Sequence, residues 1–137
     1  MPANINVRLD TRALEQLLAR APQDVEDALD AVAFEGERIV KMSFGTGPAG
    51  RTYNIRGVSH TASAPGSPPN IDTGKLMNAI HIKRLGRLRR GISTGDTEYA
   101  AGLEYGTTKM AARPFMRPMI ERLQRDVARI FDRHIRW

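Results

Sequence analysis

Between Gly45 and Asn70 the sequence GTGPAGRTYNIRGVSHTASAPGSPPN loses the hydrophobic periodicity of its flanks. Gly, Pro and Ser dominate it and large apolar residues are few, so residues 45–71 read as a flexible arm or long loop. That segment constrains the fold most, because it divides a helical front from a strand-bearing back. A structureless stretch of ~25 residues is uncommon inside a compact domain. It is therefore functional in itself, ordered by a partner, or disordered alone.

Ahead of the arm, Ile5, Val7 and Leu9 alternate with polar residues and predict a short terminal strand. Asp10 offers an N-cap to a helix with Leu14, Leu17, Leu18 and Ala21 on one face. Pro22 interrupts that helix and suits the first turn of the next, where Asp24, Glu26 and Asp27 complement the helix dipole. The second helix is predicted to reach about Phe44, with Val25, Leu29, Val32, Gly36, Ile39 and Val40 on one face. Residues 11–44 thus form two helical segments. Gly36 lies inside the apolar stripe at a cost of ~1 kcal/mol relative to Ala. Close approach of another element and a helix kink both account for it.

Behind the arm, Asp72 or Thr73 can cap a short helix. Ile80, Ile82 and Leu85 then alternate with cations, Gly86 marks a turn, and Leu88, Arg90 and Ile92 start a return strand. This pattern predicts an antiparallel hairpin. Tyr99–Thr107 is rich in small residues and fits one helical turn followed by a strand end. Residues 72–107 are accordingly read as a sheet region. Pro114 and Pro118 punctuate the start of a last helix, 114–136, with Met116, Ile120, Leu123, Val127, Ile130 and Phe131 inward. The expected architecture is one α+β domain over 1–137: a small antiparallel sheet against a long N-terminal helix and a C-terminal helix, with the arm projecting. A chain of this size can bury about 70% of its unfolded surface without staples. With aromatics at only 6%, its core must be aliphatic.

Catalytic chemistry finds no support. The absence of Cys excludes disulfide scaffolds, thiolate metal sites and cysteine nucleophiles. Gly45-Thr46-Gly47-Pro48-Ala49-Gly50 matches G-x-G-x-x-G, but a helix precedes it, whereas a dinucleotide site needs a strand there. Asp72-Thr73-Gly74 matches the aspartic protease tripeptide, yet Asn70 and Lys75 flank it in a helix-capping context. His60, His81 and His134 lack metal-ligand spacing. No enzyme activity, cofactor or metal is expected. No apolar run reaches the ~18 residues of a membrane span. The first ten residues do not read as a secretory signal, so a reducing cytosol is the expected site of synthesis.

Charge is distributed unevenly. Residues 1–43 hold eight acids and five bases, and residues 44–137 hold seven acids and sixteen bases. Such a division fits nucleic-acid binding or contact between copies, acidic face to basic face. Lys83, Arg84, Arg87, Arg89 and Arg90 cluster on the hairpin as candidates for DNA or an acidic partner, with a solvated tip as the plain alternative. Arg122, Arg125, Arg129, Arg133 and Arg136 recur at spacings of three and four on the last helix, as a solvated face or an interface.

Five pieces of sequence, taken in order, carry a resemblance. They are Gly50-Arg51-Thr52-Tyr53, His60-Thr61-Ala62-Ser63-Ala64-Pro65-Gly66-Ser67-Pro68-Pro69, Asp72-Thr73-Gly74-Lys75-Leu76, Tyr99 to Thr107, and Ala112-Arg113-Pro114-Phe115-Met116-Arg117-Pro118. Across about residues 20–136 the set resembles the neck, or tail-completion, family of long-tailed bacteriophages. Met77-Asn78-Ala79 and Met119 depart slightly from its pattern. The resemblance implies a structural virion protein at the head–tail junction, assembled in the bacterial cytoplasm. It implies a homo-oligomeric ring, with a hexamer among the candidates, between the head connector or head-closure protein and the tail terminator. DNA in the channel is a further candidate contact, and no membrane is expected. A terminator or head-closure protein of the same junction, and a nucleic-acid-binding module using residues 83–90, are the alternatives. Candidate interface residues are Tyr53, His60, Pro65, Pro68, Pro69, Glu104, Arg113, Phe115, Arg125, Arg129 and Arg133, with Glu104 and Arg113 as a pair holding the arm or a neighbour.

Overall fold

A computed structural model describes residues 12–71, 74–95, 97 and 99–136. The expected strand at residues 5–9 and the caps at Asp10, Asp72 and Thr73 lie outside them. The fold is α+β, as expected. Helix α1 (Arg12–Arg20) leads into α2 (Pro22–Ser43). Ala21 between them is non-helical at φ −141° and ψ 64°, because a residue before proline is driven out of the helical region. Pro22 then occupies the first turn of α2, where its missing N–H costs nothing.

Helix α2 is the spine. Helix α5 (Met116–His134) packs along one side of it, and the hairpin β3 (His81–Gly86) and β4 (Arg89–Ser93) packs on another. Val25, Ala28, Ala33, Gly36, Ile39 and Val40 form the buried face of α2. Gly36 is the point of closest approach. A Cβ there would lie 2.6 Å from Cδ1 of Ile92 on β4 and 3.2 Å from Cδ2 of Leu123 on α5. Close packing, rather than a kink, therefore accounts for this glycine.

The main core joins Ile39 and Val40 of α2 and Phe44 just beyond its end to Leu76, Ile80, Ala100, Phe115 and Met119. The Phe44 and Phe115 rings meet at 5.7 Å and 48°. A smaller cluster of Leu17, Val25 and Ile135 ties α1 to the ends of α2 and α5. Two positions on α5 differ from the expected face. Met119 is buried, whereas Ile120 is 48% exposed. Pro118 and the cap described below set the helix start, and this phase turns Met119 toward Gly36.

The arm departs most from expectation. It is not structureless: β1 (Ala49–Ile55) and β2 (Val58–Ser63) pair as an antiparallel ribbon. Arg56 and Gly57 close it with φ of 51° and 80°, the two-residue turn whose twist suits a hairpin. Thr, Tyr, Ile and Val supply strand propensity that the surrounding Gly and Pro outweigh in a composition count. The region 72–107 also holds more helix than expected. It contains α3 (Lys75–Ala79) and α4 (Ala100–Tyr105) beside the hairpin, and Tyr99–Thr107 gives a helix without a strand end. In the hairpin, Ile80 precedes β3, and Leu88 lies in the turn instead of on β4. The described strands form two separate two-stranded sheets, so no single sheet underlies the helices.

Candidate interaction site

The β1–β2 ribbon makes its extensive contacts strand to strand and none comparable with another element. Residues 51–54 and 56–59 are all exposed. Directly opposed residues of an antiparallel pair share a face. Thr52 opposes Thr61 and Asn54 opposes Ser59, which makes one face polar, and the Thr52 and Thr61 hydroxyls are 3.0 Å apart on it. Tyr53 opposes His60 on the other face, whose row continues through Val58 near the tip. Tyr53 is 42% exposed and Val58 66%. The Arg51 guanidinium lies 5.1 Å from the centre of the Tyr53 ring. The ribbon is therefore amphipathic, with an apolar face turned largely to solvent.

At its base that face overhangs a cleft of about 380 Å³ between the ribbon, α3, α4 and the 109–113 segment. Tyr53, His60, Pro69 and Arg113 of the candidate interface residues meet there. Leu76 and Leu103 supply apolar wall, while Lys109 and Arg113 add positive charge. Pro65 is exposed and Pro68 half-buried, both outside the cleft lining, and Pro69 is buried.

Arg113 and Glu104 do not pair with each other, and each has its own task. Arg113 Nε donates to the Ser63 carbonyl at 3.1 Å, at the root of β2. The Gly66 N–H donates to the Ala112 carbonyl at 2.8 Å beside it. Glu104 instead caps α5. Its Oε2 accepts the N–H groups of Phe115 and Met116 at 2.8 and 2.9 Å, and its Oε1 accepts that of Arg117 at 2.9 Å. The first four N–H positions of a helix lack intrahelical partners. Here Glu104 takes three, and the fourth belongs to Pro118, which has no N–H. Phe115 is 1% exposed, so its side chain is a core group instead of an interface group. A carboxylate 11 residues before a helix is not a local capping pattern, and periodicity alone gives no signal for it.

The basic hairpin is docked on the chain's own acidic helix. Arg84 and Arg87 reach the two carboxylate oxygens of Glu26 at 2.9 and 3.5 Å. The Arg90 side chain is only 6% exposed. Its Nε donates to Asp30 at 2.5 Å, and its Nη1 donates to the carbonyls of Gly86, Arg87 and Arg89. Three of the five candidate phosphate contacts are thus tied down within the fold. Lys83 and Arg89 are exposed and make no ion pair among the described residues. On α5, Arg129 pairs with Asp126 at 3.3 Å, and Arg125 and Arg133 are exposed. The Arg38 side chain holds the Glu35 carboxyl below its ordinary range by a hydrogen bond, helped by the charges of Arg38, Arg122 and Arg129.

Among the described residues no group of His, Asp or Glu is arranged to hold a metal ion, and no helix is long and apolar enough to cross a membrane. Comparisons with protein-family models, curated proteins and solved structures found no match for this chain.

Proposed function

We propose that this chain is a structural component of the head–tail junction of a long-tailed phage, prophage or gene-transfer particle. It forms a ring between the head connector and the tail, assembled in the host cytoplasm and retained in the virion. The observation that carries this reading is the β1–β2 ribbon, an amphipathic hairpin that touches the other elements of its own chain only at its base and leaves Tyr53 and Val58 exposed. An isolated two-stranded ribbon is at best marginally stable in water, and a neighbouring subunit supplies the missing surface. The ordered set of sequence pieces that resembles the neck family supports the same conclusion.

Deletion of the gene from a particle-producing strain tests it. Electron microscopy is expected to show filled heads and complete tails that fail to join. Normal particles in the deletion strain overturn the proposal. Labelling the chain in intact particles gives its axial position, which distinguishes a neck protein from a terminator or head-closure protein.

A further inference from the structure

The outward side of α2 carries a second unpartnered surface. Phe34 is 64% exposed and Met42 63% exposed, although both are large and apolar. They lie eight residues apart, about 12 Å along one side of the helix. Arg38 stands between them, but its guanidinium is folded down onto Glu35 at 2.5 and 2.9 Å and onto the Met42 sulfur at 3.1 Å. The stripe therefore presents Phe34, the aliphatic stem of Arg38 and Met42. Asp27 continues it toward the N-terminus.

The two exposed apolar surfaces end in opposite charges. Glu26, Asp30, Glu35 and Glu37 of α2 are paired with cations of their own chain, whereas Asp27, at the end of the stripe, is exposed and makes no ion pair among the described residues. The ribbon holds Arg51 and Arg56 and no acid. The cleft beneath it adds Lys109 and Arg113, and no acid is among its described lining residues.

We infer that the β1–β2 ribbon of one copy docks on the outward α2 stripe of the next copy. Phe34 of the next copy meets the apolar face at Tyr53 and Val58, and Arg56 faces Asp27. This inference rests on the ring reading and specifies its subunit contact. The contact is heterologous, because ribbon and stripe are different patches of one chain. Repeated with a closing rotation, it generates a ring.

The chain has no cysteine, so disulfide trapping reads this contact without background. Purified Phe34→Cys and Val58→Cys proteins are mixed under mild oxidation, each also being oxidised alone. Both positions are exposed, so neither substitution reaches the core. The expected result is a cross-linked heterodimer in the mixture and little product from either variant alone. Sedimentation velocity of the unmodified chain is run in parallel. An oligomer without the mixed cross-link overturns this contact and leaves the ring standing. Cross-linking of Phe34→Cys to itself points to a symmetric contact and also overturns the inference. A chain that is monomeric at all concentrations overturns the ring reading together with the contact. As a second measurement, Arg56→Asp is expected to weaken association at least tenfold, and adding Asp27→Arg is expected to restore it. Asp is suited to the positive φ at position 56, so the turn survives the change. Failure of the reversed pair to recover association overturns the proposed register.

Discussion

Glu104 caps the helix that begins at Phe115: its Oε2 accepts the Phe115 N–H at 2.8 Å, and the same carboxylate takes the next two N–H groups. Charge-assisted bonds at a helix N-terminus gain from the dipole as well as from geometry. Glu104→Ala leaves three first-turn donors without this partner and is expected to cost about 2–3 kcal/mol. Glu104→Gln keeps one acceptor and is expected to lose roughly half of that. Urea unfolding of both variants measures it. Equal stability of Glu104→Ala and the parent excludes the cap as a significant contribution.

Arg90 joins the hairpin to α2 through Asp30 and closes its own turn through three carbonyls. Arg90→Lys preserves charge but not the planar fork. It is expected to destabilise the chain by about 1–2 kcal/mol, and Arg90→Met by more, because Asp30 loses its cation. Thermal unfolding followed by circular dichroism checks the order of the three proteins. Arg89→Met, at an exposed position without an ion pair among the described residues, is the control and is expected to stay within about 0.5 kcal/mol.

Gly50 lies where β1 leaves its base. A Cβ there would stand 2.5 Å from the Ser63 carbonyl oxygen and 2.9 Å from its carbon. Both are backbone atoms, so no rotamer change relieves the overlap. Gly50→Ala is expected to pry the strands apart at their root and to raise amide exchange across 49–63, while the α2–α5 core stays protected. Unchanged exchange in the ribbon refutes this.

The Glu35 carboxyl is held below its ordinary value of 4.5, first by the hydrogen bond from Arg38. A depressed acid contributes stability that is present above its unfolded value and lost as pH falls through the folded value. Glu35→Gln is therefore expected to melt below the parent at neutral pH. The two curves converge as pH falls below the ordinary carboxylate range. Both side chains face solvent, so screening keeps the difference small, and added salt reduces it further. A gap that is independent of pH indicates a packing effect in place of the ion pair.

Much of this fold is written locally. Pro22 marks the α1–α2 boundary, and apolar spacing at 3.6 residues identifies α2 and α5. Alternation around Gly86 marks the second hairpin. The first hairpin is less legible, because Arg56 holds a positive φ usually given to Asn or Gly, which removes the customary turn signal. The candidate site divides in the same way. Tyr53, His60, Pro69 and Arg113 converge on one cleft despite their separation in sequence. Phe115, by contrast, is a core residue. The roles of Glu104 and Arg90 depend on partners 11 and 60 positions away, beyond the reach of pattern reading.

The anchoring of the ribbon has a mechanical consequence. Its root is held by Arg113 on Ser63 and by Gly66 on Ala112, and the 111–113 backbone runs directly into the capped start of α5. A load applied at the tip therefore passes into the head of α5 through these bonds as well as into the spine through the 44–48 backbone. The ribbon is a lever with one support at a helix terminus, where the Glu104 carboxylate holds the first turn of α5 in place.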